Sequence, residues 1–140
     1  MKKVAVVFWS GTGNTEAMAG AVIKGAQAAG ASVSRFAASE FGAGDTAGFD
    51  AIAFGCPAMG SEQLEDSEFE PMFEAVRENL SGKHIALFGS YGWGDGEWMR
   101  NWEDDCKAAG AILVCDSVTA NDAPDEEALD ACRALGAALV

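Results

Sequence analysis

Val4-Ala5-Val6-Val7-Phe8-Trp9-Ser10-Gly11-Thr12-Gly13-Asn14-Thr15 is the stretch that decides how this chain is read. Its first half is an apolar run of strand length. Its second half is small, polar or glycine, with three hydroxyls, one amide, two glycines and no cation. The next residues, Glu16 to Ala29, predict a helix with Met18, Val22, Ala26 and Ala29 on one face and Gly30 as its stop. The loop therefore joins a strand to a helix N-terminus. Such a junction aims unpaired N–H groups and the positive end of a helix dipole at an anion. Glycines let the backbone come close, and hydroxyls add donors. The loop suits a phosphate held by neutral donors. A plainer reading uses the same residues as a turn, with Asn14 or Thr15 capping the helix.

The spacing excludes two other phosphate loops. A Walker loop needs Lys after its last glycine, and here Asn14 follows Gly13. A dinucleotide fingerprint needs a third glycine where Glu16 stands. A magnesium-bound nucleoside triphosphate does not fit, and one monophosphate group does.

A chain of 140 residues, 49% of them hydrophobic, predicts one globular domain over 1–140 with its own core. The formal net charge of −13 repels nucleic acid and anionic membrane surfaces and suits a basic protein partner. Solubility alone is the bland explanation of the same charge. No Lys or Arg falls between Arg35 and Arg77, where nine acids are crowded. No apolar run approaches the ~20 residues of a membrane span. The N-terminal apolar run is too short for a signal peptide. Cys56, Cys106, Cys115 and Cys132 are scattered, which predicts buried thiols in a reducing cytoplasm rather than a metal site or disulfide framework.

Apolar runs recur at 4–9, 32–36, 51–55, 85–89 and 111–114, with helical patterns between most of them. Ser67 and Glu70 form a candidate capping box before Phe69, Met72, Phe73, Val76 and Leu80. Trp98, Trp102, Cys106 and Ala109 mark a third helix, and a fourth starts at Pro124. Residues 37–49 read as a loop with one helical turn. Alternation of this kind predicts an α/β fold, a five-stranded parallel sheet covered on both faces in the doubly wound order 2-1-3-4-5. Ligands of such sheets sit beyond the carboxyl ends of the strands at the switch point.

That rule points to the loops after the first, third and fourth strands: Ser10–Thr15, Cys56-Pro57-Ala58-Met59-Gly60-Ser61-Glu62, and Ser90-Tyr91-Gly92-Trp93-Gly94-Asp95-Gly96. Trp93, flanked by glycines, is a poor core residue and a good stacking surface. Met59 offers a polarizable thioether at the same level. The pair is placed to bracket a flat heterocycle. Separately, Met59 also reads as a core filler and Trp93 as packing beneath a loop.

Three segments, Trp9–Thr15, Gly55–Gly60 and Phe88–Gly96, together with Glu68-Phe69-Glu70-Pro71 and Glu97-Trp98-Met99-Arg100, resemble those of the short-chain flavodoxins of anaerobic bacteria. The resemblance covers nearly the whole chain. Flavodoxins are themselves a standard illustration of the switch-point rule, so the rule is not independent support. Phe8, where relatives often carry Tyr, the glycine-rich 37–49 region and the 120–124 turn depart from the pattern.

The resemblance implies a flavodoxin-like fold and one bound FMN. Ser10, Thr12, Asn14 and Thr15 would bond the phosphate, Gly11 and Gly13 would allow its close approach, and Trp9 would cover it. Met59 would lie on the inner face of the isoalloxazine, in a loop with Pro57 and Ala58, and Trp93 on the outer face. Ser90, Tyr91, Gly92 and Gly94 would line the pyrimidine end. Glu62 would accept from the ring N3–H, or else is one more solvated acid. Gly60 would turn its carbonyl toward N5–H, a movement that suits a residue free to take positive φ. That turn would favour a neutral semiquinone, and nearby acids would oppose an anionic hydroquinone. The implied function is a monomeric, low-potential one-electron carrier, not an enzyme. It would cycle mainly between semiquinone and hydroquinone and substitute for ferredoxin-type carriers. Its partners would be oxidoreductases with basic surfaces, drawn by Glu65, Asp66, Glu68, Asp95 and Glu97. An FMN-dependent NAD(P)H:quinone oxidoreductase and a redox-inert phospholigand module are the competing functions. A phosphorelay receiver is excluded, because Trp9-Ser10 and Cys56-Pro57 stand where its acids would be. His84, the one histidine, reads as structural or solvated.

Overall fold

Six parallel strands form one sheet in the computed structural model, which describes residues 1–60 and 62–140. In chain order the elements are β1 (Lys3–Phe8), α1 (Asn14–Ala28), β2 (Ser32–Ala37), β3 (Ala51–Gly55), α2 (Phe69–Arg77), β4 (His84–Tyr91), α3 (Glu97–Ala108), β5 (Ile112–Leu113), β6 (Val118–Asn121) and α4 (Glu126–Ala138). The sheet order is β2-β1-β3-β4-β5, as expected, with β6 also on β4. The apolar run at 111–114 is thus only the first half of an edge. His84 and Ile85 pair with β5, and Phe88 to Tyr91 pair with β6. Val118 to Asn121 carries just one fully buried residue, Ala120, so it lacks the apolar run by which the other inner strands are recognised.

β1 is buried from Val4 to Phe8. Side chains alternate across the sheet. Val4, Val6 and Phe8 meet Met18 and Val22 of α1 and Leu135 of α4. Ala5 and Val7 face the opposite core, where Phe69 and Phe73 of α2 pack against Trp102 of α3. Residues 37–49 contain two short 3-10 turns, Ala38–Glu40 and Ala43–Gly48, rather than one. Phe36, Phe41 and Phe49 hold this segment down, with ring centroids 5.1 to 6.2 Å apart.

α2 starts differently from the expected Ser67–Glu70 box. The Glu65 carboxylate accepts from the N–H groups of Ser67, Glu68 and Phe69 at 2.9, 2.8 and 2.8 Å, and from the Ser67 hydroxyl. α4 begins two residues after Pro124, with Asp125 Oδ1 accepting from the Ala128 N–H at 2.8 Å. Burial pushes the thiols of Cys106 and Cys132 up to about 12, and that of Cys56 higher still. They are packing groups in this fold.

α1 and α4 cross with their backbones in contact. A Cβ on Gly25 would overlap the Arg133 carbonyl oxygen, and one on Gly136 would overlap that of Val22. Only glycine allows this approach, and it sets the position of the helix whose N-terminus meets the first loop. Gly136→Ala is expected to cost about 1–3 kcal/mol in urea or thermal unfolding, the usual penalty for overpacking. Unchanged stability would mean that the crossing relaxes freely.

Candidate functional site

The loops after β1, β3 and β4 converge at one end of the sheet on a cavity of about 240 Å³. Twelve of the expected residues line it: Trp9, Ser10, Gly11, Thr12, Asn14, Thr15, Pro57, Ala58, Met59, Ser90, Tyr91 and Gly92. Gly13, Gly60, Glu62, Trp93 and Gly94 stand outside that wall.

The first loop is held by its own Ser10. Its Oγ accepts from the N–H groups of Gly13 and Glu16 at 3.1 and 3.2 Å, which leaves its proton free to be donated. Gly13, at φ 95°, is the N-cap of α1, so neither Asn14 nor Thr15 serves as the cap. The Asn14 and Thr15 amides have no acceptor among the described residues and remain free for an anion. The Thr15 hydroxyl is buried 3.2 Å from that of Ser90, and the Ser90 N–H donates to Thr15 Oγ1 at 3.4 Å. These bonds tie α1 to the end of β4. The Trp9 indole lies over Gly11, where a Cβ would come within 3.0 Å of the ring.

The second loop is a tight hairpin. Met59 and Gln63 exchange backbone hydrogen bonds at 2.8 and 2.9 Å, and Gly60 and Glu62 lie on the two sides of the tip between them. Ser61 lies outside the described residues. Gly60 has φ 52° and Glu62 has φ 57°, a conformation uncommon for a residue with a Cβ. The loop is anchored by the Glu65 N–H donating to Cys56 Sγ at 3.3 Å and by Trp98 Nε1–H donating to the Cys56 carbonyl at 3.1 Å. The Ala58 N–H donates to the Ser90 carbonyl at 3.0 Å, which joins this loop to the third.

Met59 is 37% exposed and Trp93 66% exposed. Met59 is therefore not a core filler, and Trp93 does not pack beneath its loop. Both oxygens of the Glu62 carboxylate are screened from solvent and have no hydrogen-bond partner among the described residues. They lie against Gly94, where a Cβ would overlap Oε1. Asp95 and Glu97 bring carboxylate oxygens within 4.8 Å of it. Arg100 pairs with Asp95 at 3.1 Å, and of the three carboxylates only that of Glu62 is buried with no partner among the described residues. An N–H donor from a ligand would satisfy the Glu62 oxygens.

Two residues on the cavity side of the fold were not anticipated. Asp122, at φ 58°, lines the cavity, and its N–H donates to the Tyr91 carbonyl at 2.7 Å. The irregular turn at 120–124 was its only sequence signal. Arg35 enters the neighbouring cleft beside Trp9 and Ser10. It comes from β2 and has no signal in the loop's own sequence. Glu65 drops out of the acidic surface ring, because it is 4% exposed and occupied with the start of α2. His84 is exposed at the start of its strand.

A doubly wound parallel sheet with three loops converging on a cavity at its carboxyl end is the arrangement in which α/β proteins bind a ligand. The family model for flavodoxin matches residues 6–136. A flavodoxin of Megasphaera elsdenii is 46% identical over 135 residues, 96% of each chain, and one of Clostridium beijerinckii is 44% identical over 125 residues, 89% of this chain and 91% of that one. The solution structure of two-electron reduced Megasphaera elsdenii flavodoxin superposes with a TM-score of 0.89 at 46% identity, covering 97% of both chains. An archaeal flavodoxin gives 0.84 at 27% identity over 96% of this chain and 94% of that one. The chain belongs to the flavodoxin family. Its cofactor is FMN, and its family consists of electron-transfer proteins that act with redox partner proteins. Among the described residues no helix is long and apolar enough to cross a membrane.

The role found for Glu65 has a pH signature. Burial alone would raise its carboxyl, but the hydrogen bonds from Ser67, Phe69 and Glu68 outweigh burial and hold it below the usual range. A lowered folded value stabilises the protein above the ordinary carboxylate range, and the contribution is lost as pH falls through the folded value. Glu65→Gln is expected to cost about 2 kcal/mol at neutral pH, a difference that shrinks in acid. Equal losses at pH 7 and in acid would contradict the charged cap.

Proposed function

We propose that this chain is a single-domain, monomeric, cytoplasmic carrier of one electron at low potential, not an enzyme. It takes the place of ferredoxin-type carriers between oxidoreductases that present basic surfaces. It works mainly between the one-electron and two-electron reduced levels of its FMN. The reading rests above all on the hairpin tip, where Gly60 at φ 52° stands two residues before a Glu62 carboxylate that has no partner among the described residues.

FMN supplies the two successive one-electron steps. The chain's residues hold it and set its levels. The amides and hydroxyls of Ser10, Thr12, Asn14 and Thr15 bond the phosphate, with Gly11 and Gly13 permitting the approach. Trp9 covers that end. Pro57, Ala58 and Met59 form the inner wall for the ring, and Trp93 the outer. The backbone of Ser90, Tyr91, Gly92 and Gly94 lines the pyrimidine edge, where Glu62 accepts from N3–H. Gly60, at positive φ, would be free to turn its carbonyl toward the N5 edge of the ring as a hydrogen-bond acceptor. Negative charge on Glu62, Asp95 and Glu97 disfavours further charge on the ring and lowers the second potential. Asp66, Glu68, Asp95 and Glu97 remain as surface acids that draw a basic partner.

Gly60→Ala tests the reading at its centre. A Cβ there meets nothing within 4 Å, so the substitution acts through the backbone alone. Positive φ costs a residue with a Cβ about 1–2 kcal/mol. Potentiometric titration is expected to show a smaller maximal yield of the one-electron level than in the parent protein. An unchanged yield would remove the turning carbonyl from the account. Steady oxidation of NADH or NADPH with a quinone by the parent protein would instead make the protein a reductase.

A further inference from the structure

The phosphate loop has no cation in its own sequence, yet the fold brings one beside it. Arg35 Nη2 lies 2.6 Å from Glu16 Oε2, with both side chains about half exposed. The guanidinium carbon also sits 4.8 Å from the centroid of the Phe8 ring, which holds it over β1. The cleft that Arg35 enters shares Trp9 and Ser10 with the cofactor cavity. Glu16 is part of the loop's own bonding, because its N–H donates to Ser10 Oγ at 3.2 Å. Its carboxylate is thus in the first turn of the helix whose amides face the anion. Left alone, that negative charge would oppose a phosphate dianion.

Glu40 and Glu68 line the same cleft, and Arg35 is its only cation among the described residues. The Glu40 carboxylate is already engaged with the Ala37 N–H at 2.8 Å. As a surface ion pair, Arg35–Glu16 contributes little to folding stability. Its consequence lies in the charge it removes from the rim of an anion site.

We propose that Arg35 sets the affinity of the loop for the phosphate by cancelling the charge of Glu16, and so sets how strongly the protein prefers FMN to the same flavin without its phosphate. The proposal rests on the reading that Ser10 to Thr15 holds the FMN phosphate. Arg35 acts through Glu16 and is a positioning residue.

The test is titration of the full chain, stripped of flavin, with FMN and with riboflavin, followed by flavin fluorescence at low and high salt. Arg35→Gln is expected to weaken FMN binding about threefold to tenfold at low salt, a size set by one unscreened unit charge near a dianion. Riboflavin binding should be unchanged, and the FMN effect should fade at high salt. Arg35→Lys should keep most of the affinity. Adding Glu16→Gln to Arg35→Gln should restore it. Unchanged FMN binding by Arg35→Gln at low salt overturns the proposal. So do equal losses for both flavins, which would mean that Arg35 only packs against Phe8. Failure of the double variant to recover also overturns it, because Arg35 would then act on the phosphate without Glu16. If the parent protein binds riboflavin as tightly as FMN, the phosphate-loop reading itself fails, and this proposal with it.

Discussion

Burial of β1 between β2 and β3 is the constraint on which the site depends. Its residues from Val4 to Phe8 are shielded on both faces, and every one pairs with β2 and with β3. The strand can therefore move neither along its axis nor out of the sheet without exposing both cores. Its carboxyl end is fixed in space, and Ser10 begins two residues later. α1 is held from the other side by the backbone contacts at Gly25 and Gly136. A loop pinned at a strand end and at a helix start keeps its amides aimed at one point. Such preorganisation spares the ordering cost when the anion binds.

Charge is sorted as carefully as shape. The chain carries 22 acids against 9 Lys and Arg, yet the acids do different work by place. Glu65 is turned inward to cap α2 and thereby anchors the hairpin that carries Met59. Glu62, Asp95 and Glu97 gather where the ring's edge is expected, and their mutual repulsion is tolerated there. Glu16, beside the loop proposed to hold the phosphate, is paired with Arg35. An acidic protein that binds an anion needs this separation, because a uniform field would expel its own cofactor.

Much of this was legible in the sequence where one residue type has one physical use. The run Val4 to Phe8, then a glycine-bearing polar loop, then an amphipathic helix, determines the strand, the turn and the helix together. The exposed Trp93 was readable because two flanking glycines leave nothing to bury it. What escaped was set by contacts distant in sequence. The second half of the outer strand, Val118 to Asn121, is recognised by its register on β4 and not by apolarity. The sequence pattern points to Ser67 and Glu70 as the start of α2, since a capping-box pattern cannot reveal that Glu65 accepts from the amides of Ser67, Glu68 and Phe69. Asp122 and Arg35 approach the site from β6 and β2, and no local pattern marks them.

The central claim is that three loops on this sheet hold FMN as a one-electron carrier, and anaerobic photoreduction followed by visible spectroscopy tests it most directly. The account predicts a yellow protein that turns blue at half reduction and then bleaches. Passage from yellow directly to the bleached form would contradict one-electron carriage. A colourless protein that takes up no added FMN would contradict the site itself.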